Sequence, residues 1–85
     1  MDNYDDIKMA KQYMPIVLRR YRDAAGLSQQ ELVNRVGISK GFYSSLEMGK
    51  RAPSIDMLVR IAMALDVRPG DMLEAMVREA EKNDL

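Results

Sequence analysis

Cysteine and histidine are both absent from this 85-residue chain. Without cysteine there is neither a disulfide nor a zinc–thiolate site, and nothing argues for an oxidising compartment. Without either residue, the commonest general base and the commonest soft nucleophile are missing. The carboxylates are scattered over helix surfaces, so an enzyme is not expected and no catalytic residue is assigned. No acidic set has the spacing of a calcium loop, and no glycine-rich phosphate loop follows a strand. No metal or cofactor is expected. Aromatics are scarce, one Phe and four Tyr, so the eight Met residues share the task of filling the core. No apolar run reaches the length of a bilayer span, and the acidic start Met-Asp-Asn-Tyr-Asp-Asp has the wrong sign for a signal peptide. A cytoplasmic protein with no membrane association is expected.

Charge of one sign is lacking too: 13 basic residues balance 13 acidic ones. That zero counts against a simple nucleic-acid binder. Its distribution points the other way. From Arg19 to Arg51 there are seven basic residues against three acidic ones, whereas from Ile55 onward there are four against seven. The basic excess sits in the first half, and an acidic tail would then point away from a nucleic acid or limit non-specific binding.

With 47% hydrophobic residues the chain has the composition of a folded globule, and its length suits one small domain. Its most informative stretch is 28–47. Ser28 followed by Glu31 is a capping box, flanked by Leu27 and Leu32 as a hydrophobic staple. The spacing predicts a helix over 29–36 with Leu32, Val33 and Val36 inward. Gly37 ends it, and only Ile38 separates that glycine from a second N-cap, Ser39. A helix over 40–48 follows, with Tyr43 and Leu46 inward and Ile38 stapled to Tyr43. So short a turn sends the second helix off steeply, as in a helix-turn-helix.

Before this stretch, Pro15 at a first helical position predicts a helix over 15–25, with Met14, Leu18, Tyr21 and Ala25 as its buried stripe and Gly26 as its stop. Residues 1–13 read as an extension: either a polar arm, or a short helix capped by Asp5 or Asp6 with Ile7, Ala10 and Met14 on one face. After it, Ser54 caps a helix over 55–65 with Ile55, Leu58, Val59, Ala62 and Leu65 inward. Pro69 opens a fifth helix, with Arg68 a poor cap. Met72, Leu73, Met76, Val77 and Ala80 form its apolar stripe. The reading is five helices, or six if the extension holds one.

The ordered string Gly26-Leu27-Ser28-Gln29, Glu31-Leu32, Val36-Gly37-Ile38-Ser39, Leu46-Glu47, Gly49-Lys50 and Pro53-Ser54 resembles the Cro/phage-repressor (Xre) family of helix-turn-helix domains over about residues 14–73. The resemblance implies a compact all-α, five-helix, lambda-repressor-like domain at 14–73, between an N-terminal extension (1–13) and a C-terminal helix extension (74–85). The family usually has Ala where Val33 stands, so some repacking is expected. It implies a recognition helix at about 40–48 in the major groove. Ser39, Lys40, Gly41, Ser44 and Ser45 would face base edges, and Gln29, Lys50 and Arg51 would hold phosphates. Arg19 and Arg20 are weaker phosphate candidates. Phe42 either touches a thymine methyl or the sugar backbone, or packs on the preceding helix. Arg22 and Glu47 match a structural ion pair of the family.

The function implied is sequence-specific double-stranded DNA binding by a small transcriptional regulator, a repressor, acting as a homodimer. Met72, Met76 and Val77 are the dimer candidates, the alternative being that Met76 and Val77 pack on the N-terminal extension. Two other readings stay open. One is an antitoxin that binds a toxin partner and its own operator; the other is a protein-interaction module that no longer binds DNA.

Overall fold

The computed structural model describes residues 8–83. Its frame is set by three serines, each accepting from the backbone N–H three residues on. Ser28 Oγ takes Glu31 at 3.0 Å, Ser39 Oγ takes Phe42 at 3.1 Å, and Ser54 Oγ takes Met57 at 3.0 Å. They open α2 (Gln29–Val36), α3 (Lys40–Glu47) and α4 (Ile55–Ala64). Glu31 closes the capping box by accepting the Ser28 N–H at 2.8 Å. Such a cap is worth about 1 kcal/mol. α1 (Met9–Ala24) precedes these helices, and α5 (Pro69–Asn83) follows. The fold is all-α, with no strand among the described residues. None of the described helices is long and apolar enough to cross a membrane.

Gly37 stops α2 at φ 83°, with its N–H 2.8 Å from the Val33 carbonyl. An L-side chain enters that conformation only with strain. The Val36 carbonyl, left over at the helix end, accepts from Arg60 Nη2 of α4 at 2.8 Å. The turn is therefore locked from both sides. α2 packs on α3 and α4, and α1 packs on α3 and α5. Between them Tyr43, Met14, Leu18, Leu32, Leu46, Ile61, Met72, Val17 and Val33 are fully buried. Each large apolar side chain so placed contributes about 1.5–3 kcal/mol. Val33 fits at 1% exposure where the family usually has Ala.

α1 departs from expectation. It begins at Met9 and carries Pro15 inside it. Proline has no N–H to give the Lys11 carbonyl, and an interior proline costs about 3 kcal/mol. One feature compensates. Tyr13, Met14, Val17 and Leu18 are all buried, so the core stripe continues through the proline. The loop after α3 comes close to the Lys11 carbonyl, and a Cβ on Gly49 would lie 2.9 Å from it. The capping role expected of Asp5 or Asp6 lies outside the described residues. Lys8 stands at the N-cap without a side-chain cap bond. Of the expected stripe, Met14 and Leu18 are buried, Tyr21 is half-buried and Ala25 is exposed beyond the helix end.

α4 also differs. Ile55 is 80% exposed, and Ile61 is fully buried in its stead. Leu58, Ile61, Ala62 and Leu65 meet the core, whereas Ile55, at the first position of the helix, is left in water. Asp66 turns the chain toward α5 at φ 58°, a conformation that Asp tolerates better than most residues. In α5, Met72 and Ala80 are fully buried, Met76 packs against the core, Val77 is half-buried and Leu73 is 44% exposed.

Candidate nucleic-acid interface

Glu47 ends α3 at 3% exposure, the only buried charged residue among those described. Four donors surround its carboxylate. Arg22 of α1 gives Nε at 2.6 Å and Nη2 at 3.0 Å, Gln29 of α2 gives Nε2 at 3.0 Å, and the Tyr43 hydroxyl comes from one turn earlier in α3. Arg22 also donates Nη1 to the Leu27 carbonyl at 2.8 Å, so it pins the α1–α2 turn as well. Arg19 donates Nη2 to the Glu47 carbonyl at 3.3 Å. No buried side-chain polar atom among the described residues lacks a partner. One carboxylate thus fixes the relative positions of three helices.

Burial alone would push the Glu47 carboxyl up. The hydrogen bonds from Arg22, Tyr43 and Gln29, with the guanidinium charge, outweigh it and hold Glu47 below the usual carboxylate range. Reciprocally, the hydrogen bond to Glu47 raises Arg22 further, against the opposing effect of its own burial. Tyr43 is pushed up by burial first and by the Glu47 carboxylate second. The cluster is a carboxylate, a guanidinium and a neutral phenol throughout the physiological range.

The outward side of α3 carries the residues expected to read bases. Lys40 and Gly41 are exposed, and a Cβ on Gly41 would meet nothing within 4 Å. The Ser39 hydroxyl is the N-cap acceptor and keeps its own O–H to donate. Ser44 is half-buried with its hydroxyl 3.7 Å from Met48 Sδ, and Ser45 donates to the Phe42 carbonyl at 2.6 Å. Phe42 is partly buried against the core. Lys50 and Arg51 are exposed in the loop that follows, their N–H groups bound to the Ser45 carbonyl at 2.9 and 3.3 Å. Gln29, expected to clamp a phosphate, has one amide N–H engaged by Glu47. Arg20 pairs instead with Glu79 of α5 at 3.0 Å.

Two things escaped the sequence reading. Gln29 and Tyr43 join the Arg22–Glu47 pair, although the four-residue step from Tyr43 to Glu47 was visible as a helical neighbour relation. The dimer assignment needs correction at Met72. At 0% exposure it belongs to the core of its own chain and has no surface to offer a second copy.

The model of the family described as "Helix-turn-helix" matches residues 18–72, well over half of the chain. The chain belongs to this family, of the Cro/phage-repressor (Xre) type. An uncharacterized HTH-type transcriptional regulator of Methanothermobacter thermautotrophicus is 40% identical over 61% of this chain and 75% of its own length. The HTH-type transcriptional regulator SinR of Bacillus subtilis is 33% identical over 67% of this chain, which spans only about half (52%) of SinR. Among solved structures, the restriction-modification controller protein C.AhdI of Aeromonas hydrophila superposes with a TM-score of 0.68 at 32% identity. That match covers 81% of this chain and 98% of the other. The protein has the DNA-binding fold of helix-turn-helix transcriptional regulators.

Proposed function

We propose that the protein is a sequence-specific regulator of transcription, a cytoplasmic repressor that seats α3 in the major groove of double-stranded DNA. The observation that carries this reading is the join between α3 and the rest of the fold. Its exposed start, Lys40 and Gly41, and the basic loop at Lys50 and Arg51 are held rigidly by Glu47 and the Ser45 carbonyl. Lys40 donates to guanine O6 and N7, and the Ser39 and Ser44 hydroxyls serve several bases. Ser45, its proton already given to Phe42, offers only an acceptor. Gly41 lets the backbone come close to the base edges. Lys50, Arg51 and the second amide N–H of Gln29 meet phosphates, aided by the positive end of α2. With such small side chains on α3, the shape and deformability of the duplex supply part of the specificity.

The active unit in this reading is a homodimer. Ile55 at 80% and Met63 at 72% exposure lie with half-buried Val59 on one side of α4, at i, i+4 and i+8. Two copies of α4 paired antiparallel about a twofold axis at Val59 set Ile55 against Met63 and Val59 against itself. This stripe replaces Met72 as the favoured surface and leaves Met76 and Val77 packed within the chain.

Selection of bound sequences from a pool of random duplexes tests the reading. The expected product is a two-fold consensus whose half-sites lie about one helical turn, roughly 10 bp, apart. A bound pool no different from the input would overturn it.

A further inference from the structure

The Arg51 guanidinium carbon lies 5.9 Å from the centroid of the Phe42 ring, within the roughly 6 Å reach of a cation–π contact. We propose that Phe42 is a positioning residue for the DNA backbone, its ring holding Arg51 beside α3 where a phosphate is gripped. The proposal rests on the DNA-binding reading above and names how one of its phosphate contacts is built.

Both ends of Arg51 are tied to α3. Its backbone N–H donates to the Ser45 carbonyl at 3.3 Å, alongside that of Lys50 at 2.9 Å. Its guanidinium rests on a ring that is itself fixed. Phe42 is partly buried against the core, its N–H is capped by Ser39 Oγ at 3.1 Å, and its carbonyl takes the Ser45 hydroxyl at 2.6 Å. Ser45 therefore serves the same platform from two directions.

The chemistry of the guanidinium suits this arrangement. Contact with an aromatic ring uses the face of the cation and leaves the N–H donors at its edge available. Among the described residues Arg51 forms no ion pair, so no carboxylate among them takes those donors. An exposed arginine otherwise loses its side-chain freedom when it binds a phosphate. The ring favours one placement of the side chain beforehand, which is the usual source of affinity by preorganisation. In this assignment one side of Phe42 is covered by Arg51, which takes the place of the thymine-methyl role considered for it.

The test compares the parent with Phe42→Leu, Arg51→Ala and the double variant, by anisotropy on one duplex recovered from the selection, at two salt concentrations. Thermal melts confirm that each is folded. Phe42→Leu keeps an apolar side chain on the core and loses the ring face, and it should weaken binding about 2- to 5-fold. Arg51→Ala should lower the slope of log K on log salt by about 1. In the Arg51→Ala background, Phe42→Leu should cost nothing more. Parental affinity for Phe42→Leu, or an undiminished penalty in the double variant, would overturn the proposal. A second readout needs no DNA: the Arg51 side-chain N–H resonance should be displaced by the ring current in the parent and return in Phe42→Leu. An undisplaced resonance in the parent overturns the ring contact. A selection that enriches no duplex, with the resonance displaced in the parent, overturns the DNA reading instead.

Discussion

Arg22 and Glu47 meet through two parallel hydrogen bonds, Nε to Oε2 at 2.6 Å and Nη2 to Oε1 at 3.0 Å, with side-chain exposures of 14% and 3%. The pair joins the end of α1 to the end of α3. It is thus the point through which the core dictates where α3 points. Removing one partner strands the other charge, at a cost of about 3–5 kcal/mol for a buried pair.

Glu47→Ala should accordingly melt far below the parent. It takes away the acceptor for Arg22, Gln29 and Tyr43 together. For a domain this small, the loss corresponds to a fall in Tm of more than about 10 °C. Circular dichroism melts decide it. A variant that melts with the parent would show that the cluster does not hold the helices together.

Acid should expose the same cluster. The Glu47 carboxyl is depressed in the fold, so its contribution is fully present above the unfolded carboxylate value of about 4.3. It is lost as pH falls from there through the lower folded value. Glu47→Gln lacks that contribution at every pH. The stability gap between parent and Glu47→Gln, read from urea midpoints, should be constant at neutral pH and close below about pH 4. A gap that persists unchanged into acid would mean that Glu47 is not depressed.

Two glycines, one in the first turn of α3 and one just after it, should respond oppositely to alanine. At Gly49, φ is 75° and the new Cβ would lie 2.9 Å from the Lys11 carbonyl, part of a helix backbone that cannot give way cheaply. Gly49→Ala should destabilise by more than about 1 kcal/mol. At Gly41 nothing lies within 4 Å and the residue is helical, so Gly41→Ala should stabilise by about 0.5–1 kcal/mol. If the bare backbone at Gly41 approaches base edges, this more stable variant should also bind its operator less tightly. Melts and anisotropy together separate the two effects. Unchanged operator affinity would remove Gly41 from the reading surface.

The α4 stripe gives a prediction about assembly. Ile55→Glu with Met63→Glu should leave a folded chain, because both side chains already face water at 80% and 72% exposure. Sedimentation should then report a monomer where the parent is a dimer. A parent dimer that survives both charges would place its interface elsewhere.

The helix starts at Ser28, Ser39 and Ser54 were legible because a cap is a local device, written within four residues. Gly37 was legible for the same reason. The start of α1 was not. Pro15 reads naturally as a first helical residue, and only the burial of Tyr13 and Met14 on the core explains a helix running through it. Periodicity placed α4 and found Leu58, Ala62 and Leu65, but it took Ile55 into the core and missed Ile61, because spacing does not say where along a helix the core begins or how wide the buried face is. Arg22 and Glu47 could be paired from family resemblance, whereas Gln29 entered the cluster only through tertiary structure, since 18 residues separate it from Glu47. The Phe42–Arg51 contact crosses a loop and had no periodic signature at all.

The central claim is that α3 and its basic loop read DNA. The most direct measurement is fluorescence anisotropy with a labelled duplex from the region upstream of the protein's own gene, beside a scrambled duplex of equal length, each at two salt concentrations. The account predicts tight binding to the first alone, weakening steeply with salt as several phosphate contacts release counterions. Weak and equal binding to both, together with a selection that enriches nothing, would contradict it.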